Sequence, residues 1–491
     1  MPDQVPAMNV IFILADDLGY SDTTLYGTTE LYQTPNIQRL AARGMTFNRA
    51  YANSPLCSPT RASILTGQTP ARHGSTTPGH HKNEVRLLPE LEASAKPGAK
   101  VLGIESVNRL DTALPTLGKM FQQGGYATAH FGKWHLGKDP YSPANHGFDV
   151  DLPHYDGPGP VGGFLAPWKF APELQPQAKG ENIEDRMAQE AIQWMRSLPK
   201  DQPFFINYWQ YSVHAPFDAK PELVEKYKTL IDPNGRQQSA TYAAMVETCD
   251  DAVGTLLDAV DAAGIADHTI IIFASDNGGN EYSTVKKEGG VHATNNWPLS
   301  GGKATIREGG VQVPCVVVWP GVTQPGSRSD EVIQTADFYP TLLKHLGLEW
   351  PSSHAVDGAD IVPALSGGEL ARDGIFTYFP SGMPAPDWLP PSMAVYSGDW
   401  KLIRIFHGGE QGGHDYRLYN VVEDLGEDQD LKAAHPEIVQ RLDRMIKKHI
   451  MDTGAVVPLP NPNFDPAKYR PENIGLTPLQ MKALALKSKE K

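Results

Sequence analysis

Short apolar runs that each end in a polar cluster limit the folds open to this 491-residue chain. Residues 10–14 run into Asp16 and Asp17, 128–131 into Lys133 and His135, 204–209 towards His214, and 270–274 into Ser275, Asp276 and Asn277. Helical periodicity separates them over 34–44, 112–124, 183–197 and 240–263. Buried strands alternating with helices specify an α/β domain on a mostly parallel sheet. Ligands of such sheets collect beyond the carboxyl ends of the strands, where clusters far apart in sequence can meet.

The texture changes after about residue 370. Strand-like pieces at 374–379, 393–397, 400–406 and 416–421 are joined by Pro- and Gly-rich turns, and a helix is expected over 436–450. The expectation is an α/β domain over 1–370 and a C-terminal subdomain over 371–491, made of a small antiparallel sheet, one covering helix and a proline-rich tail from 455 that wraps the surface. Stretches 74–110, 150–180 and 381–392 read as long loops, the usual carriers of specificity.

Lys and Arg total 43 against 57 Asp and Glu, a net charge of −14, which disfavours a nucleic-acid or anionic-membrane surface. An anionic substrate would need a local basic pocket. The first twenty residues hold no basic segment, and 10–14 is too short for a signal core or a membrane span, so neither is expected in the chain as given. Of three cysteines, Cys315 sits in a β-rich apolar run and Cys249 on a helical apolar stripe, and both read as core. Cys57 lies outside any periodic pattern.

Ser58 is predicted as an N-cap, Pro59 as the first helical residue and Gly67 as the stop, which puts Cys57 just before a helix N-terminus favourable to anions. A cysteine at a helix mouth, with Arg61 paired to a nearby carboxylate, fits the same residues. Asp16, Asp17, Asp276 and Asn277 offer only oxygen ligands, the set preferred by a hard cation such as Ca²⁺ or Mg²⁺. Taken singly, such pairs are also ordinary turn residues after a strand. Arg61, Lys133, His135, His214 and Lys303 form the matching cationic set.

The run from Pro55 through Cys57, Pro59 and Arg61 to Gly67 resembles the first signature of the formylglycine-dependent (type I) sulfatases, built on Cys-x-Pro-x-Arg. Residues 125–137, around Lys133 and His135, resemble the second. The likeness continues through Asp16 and Asp17, His214 to Phe217, Ser275 to Gly279, Lys303, Glu308 to Pro314, and the late Gly398 to Leu402 and Leu418 to Asn420 segments. It covers 10 to about 430 in family order. Phe131 departs from it, where a small aliphatic residue is usual, and a packing adjustment is expected there.

The resemblance implies an alkaline-phosphatase-like fold and hydrolysis of a sulfate ester, with a periplasmic or secreted location. It implies that a dedicated maturation enzyme oxidises Cys57 to formylglycine, and that Asp16, Asp17, Asp276, Asn277 and modified Cys57 hold one Ca²⁺, Mg²⁺ being possible. It further implies that Arg61 and Lys133 steady the diol and sulfate, that Lys303 binds a sulfate oxygen, that His214 is the general acid and that His135 orients the nucleophile. The substrate expected by analogy is a sulfated carbohydrate. Sugar contacts are expected among Trp168, Trp297 and Trp388, with His80, His81, His292, His407 and His414. Two alternatives remain: a one-metal phosphonate monoester or phosphodiester hydrolase of the same superfamily, and a non-catalytic anion-binding protein. Asn277 stands where two-metal phosphatases carry histidine, and a mere binder needs no aldehyde precursor at Cys57.

Overall fold

The computed structural model describes residues 7–381, 389–470 and 474. Eight strands form one mixed sheet in the order Ser327–Ser329, Met45–Phe47, Cys315–Val318, Thr269–Ser275, Asn9–Ala15, Phe204–Trp209, Ala127–Gly132, Val150–Leu152. Asn9–Ala15 is central and pairs parallel to Thr269–Ser275 and to Phe204–Trp209. Only Cys315–Val318 runs antiparallel to its neighbours.

The central strand is apolar throughout because both of its faces are covered. Val10, Phe12 and Leu14 point into a core with the helices Cys57–Thr66, Leu117–Gln123 and Phe338–His345. Ile11, Ile13 and Ala15 point into another, with Pro35–Ala41, Ile183–Ser197 and Ala240–Ala262. Each large aliphatic or aromatic side chain buried this way contributes roughly 1.5–3 kcal/mol. Cys249 and Cys315 lie in these cores, as expected, and Phe131 packs edge-on to Trp194.

Register decides where the site forms. Ala15 lies opposite Ser275, so Asp16 and Asp276 leave the sheet side by side. Gly132 lies opposite Trp209, which carries Lys133 to the same end.

Four antiparallel strands, Ile375–Phe379, Ser392–Ser397, Trp400–Ile405 and Asp415–Asn420, make the second sheet. The helix Pro436–Thr453 covers one face through Leu442 and Ile446 against Met393, Val395, Leu402 and Leu418. The opposite face, with Tyr396, Ile403 and Tyr419, packs on Tyr51, Leu56, Ala304 and Val311 of the large domain.

Two stretches read as loops contain paired backbone. Val150–Leu152 is the edge strand of the large sheet, and Glu90–Leu91 pairs with Ile104–Glu105. The tail's Leu459–Pro460 pairs with Val101–Leu102, and Trp388 with the rest of 382–388 lies outside the described residues. Among the described residues, no helix is long and apolar enough to cross a membrane.

Candidate active site

The helix Cys57–Thr66 starts two residues earlier than the sequence suggests. Leu56 is the N-cap and makes no side-chain cap, so Cys57 is the first helical residue. Ser58 does not cap because its hydroxyl donates to the His135 carbonyl at 2.7 Å, a tertiary bond that also fastens the Lys133–His135 turn to this helix. Gly67 ends the helix in the left-handed region, as predicted.

Beyond the strand ends, the polar clusters join. Lys133 Nζ donates to Asp16 Oδ2 at 2.6 Å, and Lys303 Nζ to Asp17 Oδ2 at 2.7 Å. Arg61 donates through Nε to Asp276 Oδ2 at 2.8 Å and through a terminal nitrogen to the Lys133 carbonyl at 2.7 Å. Asn277 Nδ2 donates to Asp17 Oδ1 at 2.8 Å. Asp17 sits at φ 62° and His135 at φ 55°, left-handed backbone that is uncommon outside glycine and is found where function fixes a side chain.

The oxygen set fits a hard cation. Asp16, Asp17, Asp276 and Asn277 are fully buried, and Asp16 Oδ1 and Asn277 Oδ1 receive no hydrogen bond. Buried acceptors are seldom left so. One ligand atom from each of Asp16, Asp17 and Cys57 lies within 4.8 Å of the others. The sulfur is the one donor at odds with such an ion, since hard cations take oxygen. Burial pushes the Cys57 thiol above its ordinary value, so it stays protonated.

Charge within the site is balanced and strained. Asp16, Asp17 and Asp276 face Arg61, Lys133 and Lys303, three of each sign. A divalent cation and a sulfate dianion would cancel in the same way. Burial raises Asp16, and burial with the Asp16 charge raises Asp276 to about 6. Burial also opposes ionisation of Asp17, but Lys303 and His214 outweigh it and hold that carboxyl below its usual range.

His214 Nδ1 donates to the Ala215 carbonyl at 2.6 Å, which leaves Nε2 facing the site 3.8 Å from Asp17 Oδ2. Burial and Lys303 push its pKa down to about 3. His135 Nε2 meets His81 Nδ1 at 3.3 Å, while its Nδ1 is buried without a partner.

The expected sugar contacts divide. Trp168 is core, 3% exposed, with its indole N–H on the Phe164 carbonyl, because the 150–180 stretch folds back onto the sheet. His80 is also buried, against Ser75. Trp297 is 49% exposed and the Arg236 guanidinium lies 4.0 Å from its ring centroid. His81 is exposed, and His292 is exposed with its ring on the Glu281 carbonyl. His407 and His414 pair with each other at the edge of the small sheet.

Sequence reasoning missed Glu184. Its Oε1 accepts from the Tyr211 and Ser212 amides at 2.8 and 2.7 Å, which fixes the turn leading to His214. In sequence it is an ordinary acid in a first helical turn, and no local signal marks it.

The sulfatase family model matches residues 8–348, and the model of the N-sulphoglucosamine sulphohydrolase C-terminal region matches 302–453. N-acetylgalactosamine-6-sulfatase of Sus scrofa is 34% identical over 393 residues, 75% of this chain and 68% of that protein. A sulfatase of Formosa agariphila is 31% identical over 504 residues, covering 89% and 87%. Among solved structures, Ps i-CgsB in complex with k-i-k-neocarrahexaose superposes with a TM-score of 0.71 at 26% identity, covering 91% of this chain and 93% of that one. The chain therefore belongs to the sulfatase family, within the alkaline phosphatase superfamily, and is a hydrolase of sulfate esters.

Proposed function

We propose that the chain removes sulfate from a sulfated carbohydrate, using Cys57 converted to formylglycine and one Ca²⁺ held by Asp16, Asp17, Asp276, Asn277 and position 57. The observation that carries this reading is a buried thiol within 4.8 Å of the Asp16 and Asp17 carboxylates, beside Asp16 and Asn277 oxygens that accept no hydrogen bond from the described residues. Oxidation of Cys57 by a maturation enzyme replaces the one mismatched donor with oxygen. Sugar as substrate is supported by the relatives' names, one an N-acetylgalactosamine-6-sulfatase and one solved with a neocarrahexaose, and by the exposed Trp297.

A bound ion would supply positive charge for the sulfate oxygens. The hydrated aldehyde supplies the attacking hydroxyl and a second hydroxyl that drives sulfate out. The other roles fall to side chains already in place. Arg61 and Lys133 hold position 57 and the carboxylates in register. Lys303, held on Asp17, takes a sulfate oxygen. His214 presents Nε2 to the leaving oxygen, and an anionic ester beside it favours the protonated ring and offsets the burial that depresses it. His135 accepts the proton of the second hydroxyl.

The test is the intact mass of protein made with and without a formylglycine-generating enzyme, paired with sulfate release from a panel of sulfated mono- and oligosaccharides. Conversion at Cys57 with modification-dependent desulfation is expected. Turnover confined to small aryl sulfates would refute the carbohydrate assignment.

A further inference from the structure

We propose that Lys401 and Glu427, both from the C-terminal part of the chain, are positioning residues for Lys303, so that the small sheet completes the sulfate site. This rests on the reading of Lys303 as a sulfate-binding group.

Lys303 sits on a loop closed by bonds of its own, Gly309 N to the Ser300 carbonyl at 2.7 Å and Thr305 N to the Gly302 carbonyl at 3.0 Å, yet carried through unfavourable backbone. Ala304, the next residue, has φ 67° without being glycine, a conformation that persists only where surroundings enforce it. The loop folds tightly onto itself, so that a Cβ at Gly309 would collide with the Gly301 carbonyl. Its glycines leave little side-chain packing to stiffen it. Lys303 N reaches the Gly279 carbonyl at 3.1 Å and Ala304 N the Pro55 carbonyl at 2.8 Å, which ties the tip.

One carboxylate of the C-terminal part braces both shoulders from outside the loop. Glu427 Oε2 accepts from Ser300 Oγ at 2.7 Å and from the Glu308 amide at 2.8 Å, and so spans the loop on both sides of Lys303. Glu427 is itself at φ 53°, so its backbone too is held against preference. Lys401 fixes the clamp from the sheet. Its Nζ lies 2.8 Å from Glu427 Oε1 and 2.9 Å from Glu308 Oε1, with all three side chains buried. Tyr396 and Tyr51 hydroxyls donate to the Glu308 carboxylate at 2.8 and 2.9 Å, which joins the small sheet to the large domain at this point. Two carboxylates share one ammonium, so removing it leaves both without their buried cation and frees the clamp.

A double-mutant cycle in the full-length, matured, calcium-loaded enzyme tests this, with inorganic sulfate titrated calorimetrically and KM and kcat measured separately. Lys303→Met alone is expected to weaken sulfate by about tenfold or more, the scale of a lost charge-assisted hydrogen bond. Lys401→Met is expected to weaken sulfate and raise KM by about tenfold, and to add nothing in the Lys303→Met background, because it acts through that residue. A Lys401→Met protein with lower thermal stability but unchanged sulfate affinity and KM, or one whose loss adds fully to that of Lys303→Met, would overturn the proposal. No effect of Lys303→Met itself would remove the role of Lys303 and the proposal with it, an outcome distinct from the first. Should Lys401→Met not fold, Ser300→Ala decides, since it deletes one clamp bond at a half-buried serine. A roughly two- to threefold loss of sulfate affinity that vanishes without Lys303 supports positioning, and no loss overturns it.

Discussion

Two buried clusters of charge lie on either side of Lys303 and differ in how completely they are satisfied. At the strand ends, Asp16 Oδ1 and Asn277 Oδ1 are buried acceptors with no donor. At the sheet contact, both Glu308 oxygens and Glu427 Oε2 accept protein hydrogen bonds, and Glu427 Oε1 is ion-paired with Lys401 Nζ at 2.8 Å without hydrogen-bond geometry. A closed network fixes one arrangement of the chain, whereas an open one keeps valence for something the chain binds. The difference separates chemistry from scaffolding in a way that type and burial of residue alone do not, since both clusters are acidic, basic and dry.

The comparison breaks most sharply if substitution in the open cluster destroys the fold or substitution in the closed one leaves it untouched. Cys57→Ala is expected to abolish sulfate release, by about 10⁶-fold as for loss of a covalent nucleophile, with a thermal midpoint within a few degrees of wild type. Lys401→Met is expected to lower stability by about 3–5 kcal/mol in urea unfolding, because two buried carboxylates lose the cation they share. If the two variants exchanged these phenotypes, the division would be wrong.

Ion removal sharpens the same contrast. Chelation by EGTA should stop turnover reversibly and lower the thermal midpoint, and calcium at 100 times its dissociation constant should restore about 2.7 kcal/mol. That calcium increment is expected to be lost in Asp276→Asn. His214→Ala resolves the open cluster further. Sugar sulfates, whose leaving oxygen needs a proton, should slow by about 10²–10⁴-fold, and nitrophenyl sulfate by less than about tenfold. Equal losses on both would remove His214 from the acid role.

Much of this division could be read from the chain. Thr269–Ser275 and Phe204–Trp209 were legible because strands covered on both faces must be apolar throughout. The acids and bases following those strands marked the open cluster, because a polar residue straight after a buried strand is placed by the strand itself. Met45–Phe47, Val150–Leu152 and Ser327–Ser329 were not legible, since strands of three residues carry no period. Ser58 misled because a partner 77 residues away took the hydroxyl its local pattern assigns to a cap. The closed cluster gave no signal of its role, for Lys401 meets Glu308 across 93 positions, and only the folded chain shows two glutamates sharing one lysine.

Glu184 offers the finest test, because it belongs to neither extreme. It is buried, its Oε1 holds the Tyr211 and Ser212 amides, and its Oε2 accepts no well-formed hydrogen bond among the described residues. Burial raises its pKa from 4.5 to about 7 despite those two bonds. Between these values the unfolded chain has released the proton while the folded chain keeps it, so the folded state binds more protons and stability falls as pH rises from about 4.5 to 7. Glu184→Gln keeps an acceptor for both amides and removes the titration. Urea unfolding at pH 5 and pH 8 should therefore show wild type losing up to about 3 kcal/mol relative to the variant over that interval, each tenfold difference in proton affinity between the two states being worth about 1.4 kcal/mol. The leaving-group dependence of the variant should stay that of wild type, because the amide oxygen still fixes the turn before His214. A parallel pH slope in both proteins would mean that the Glu184 carboxyl is ionised in the folded state, with a donor found for its second oxygen, and would move it into the closed class.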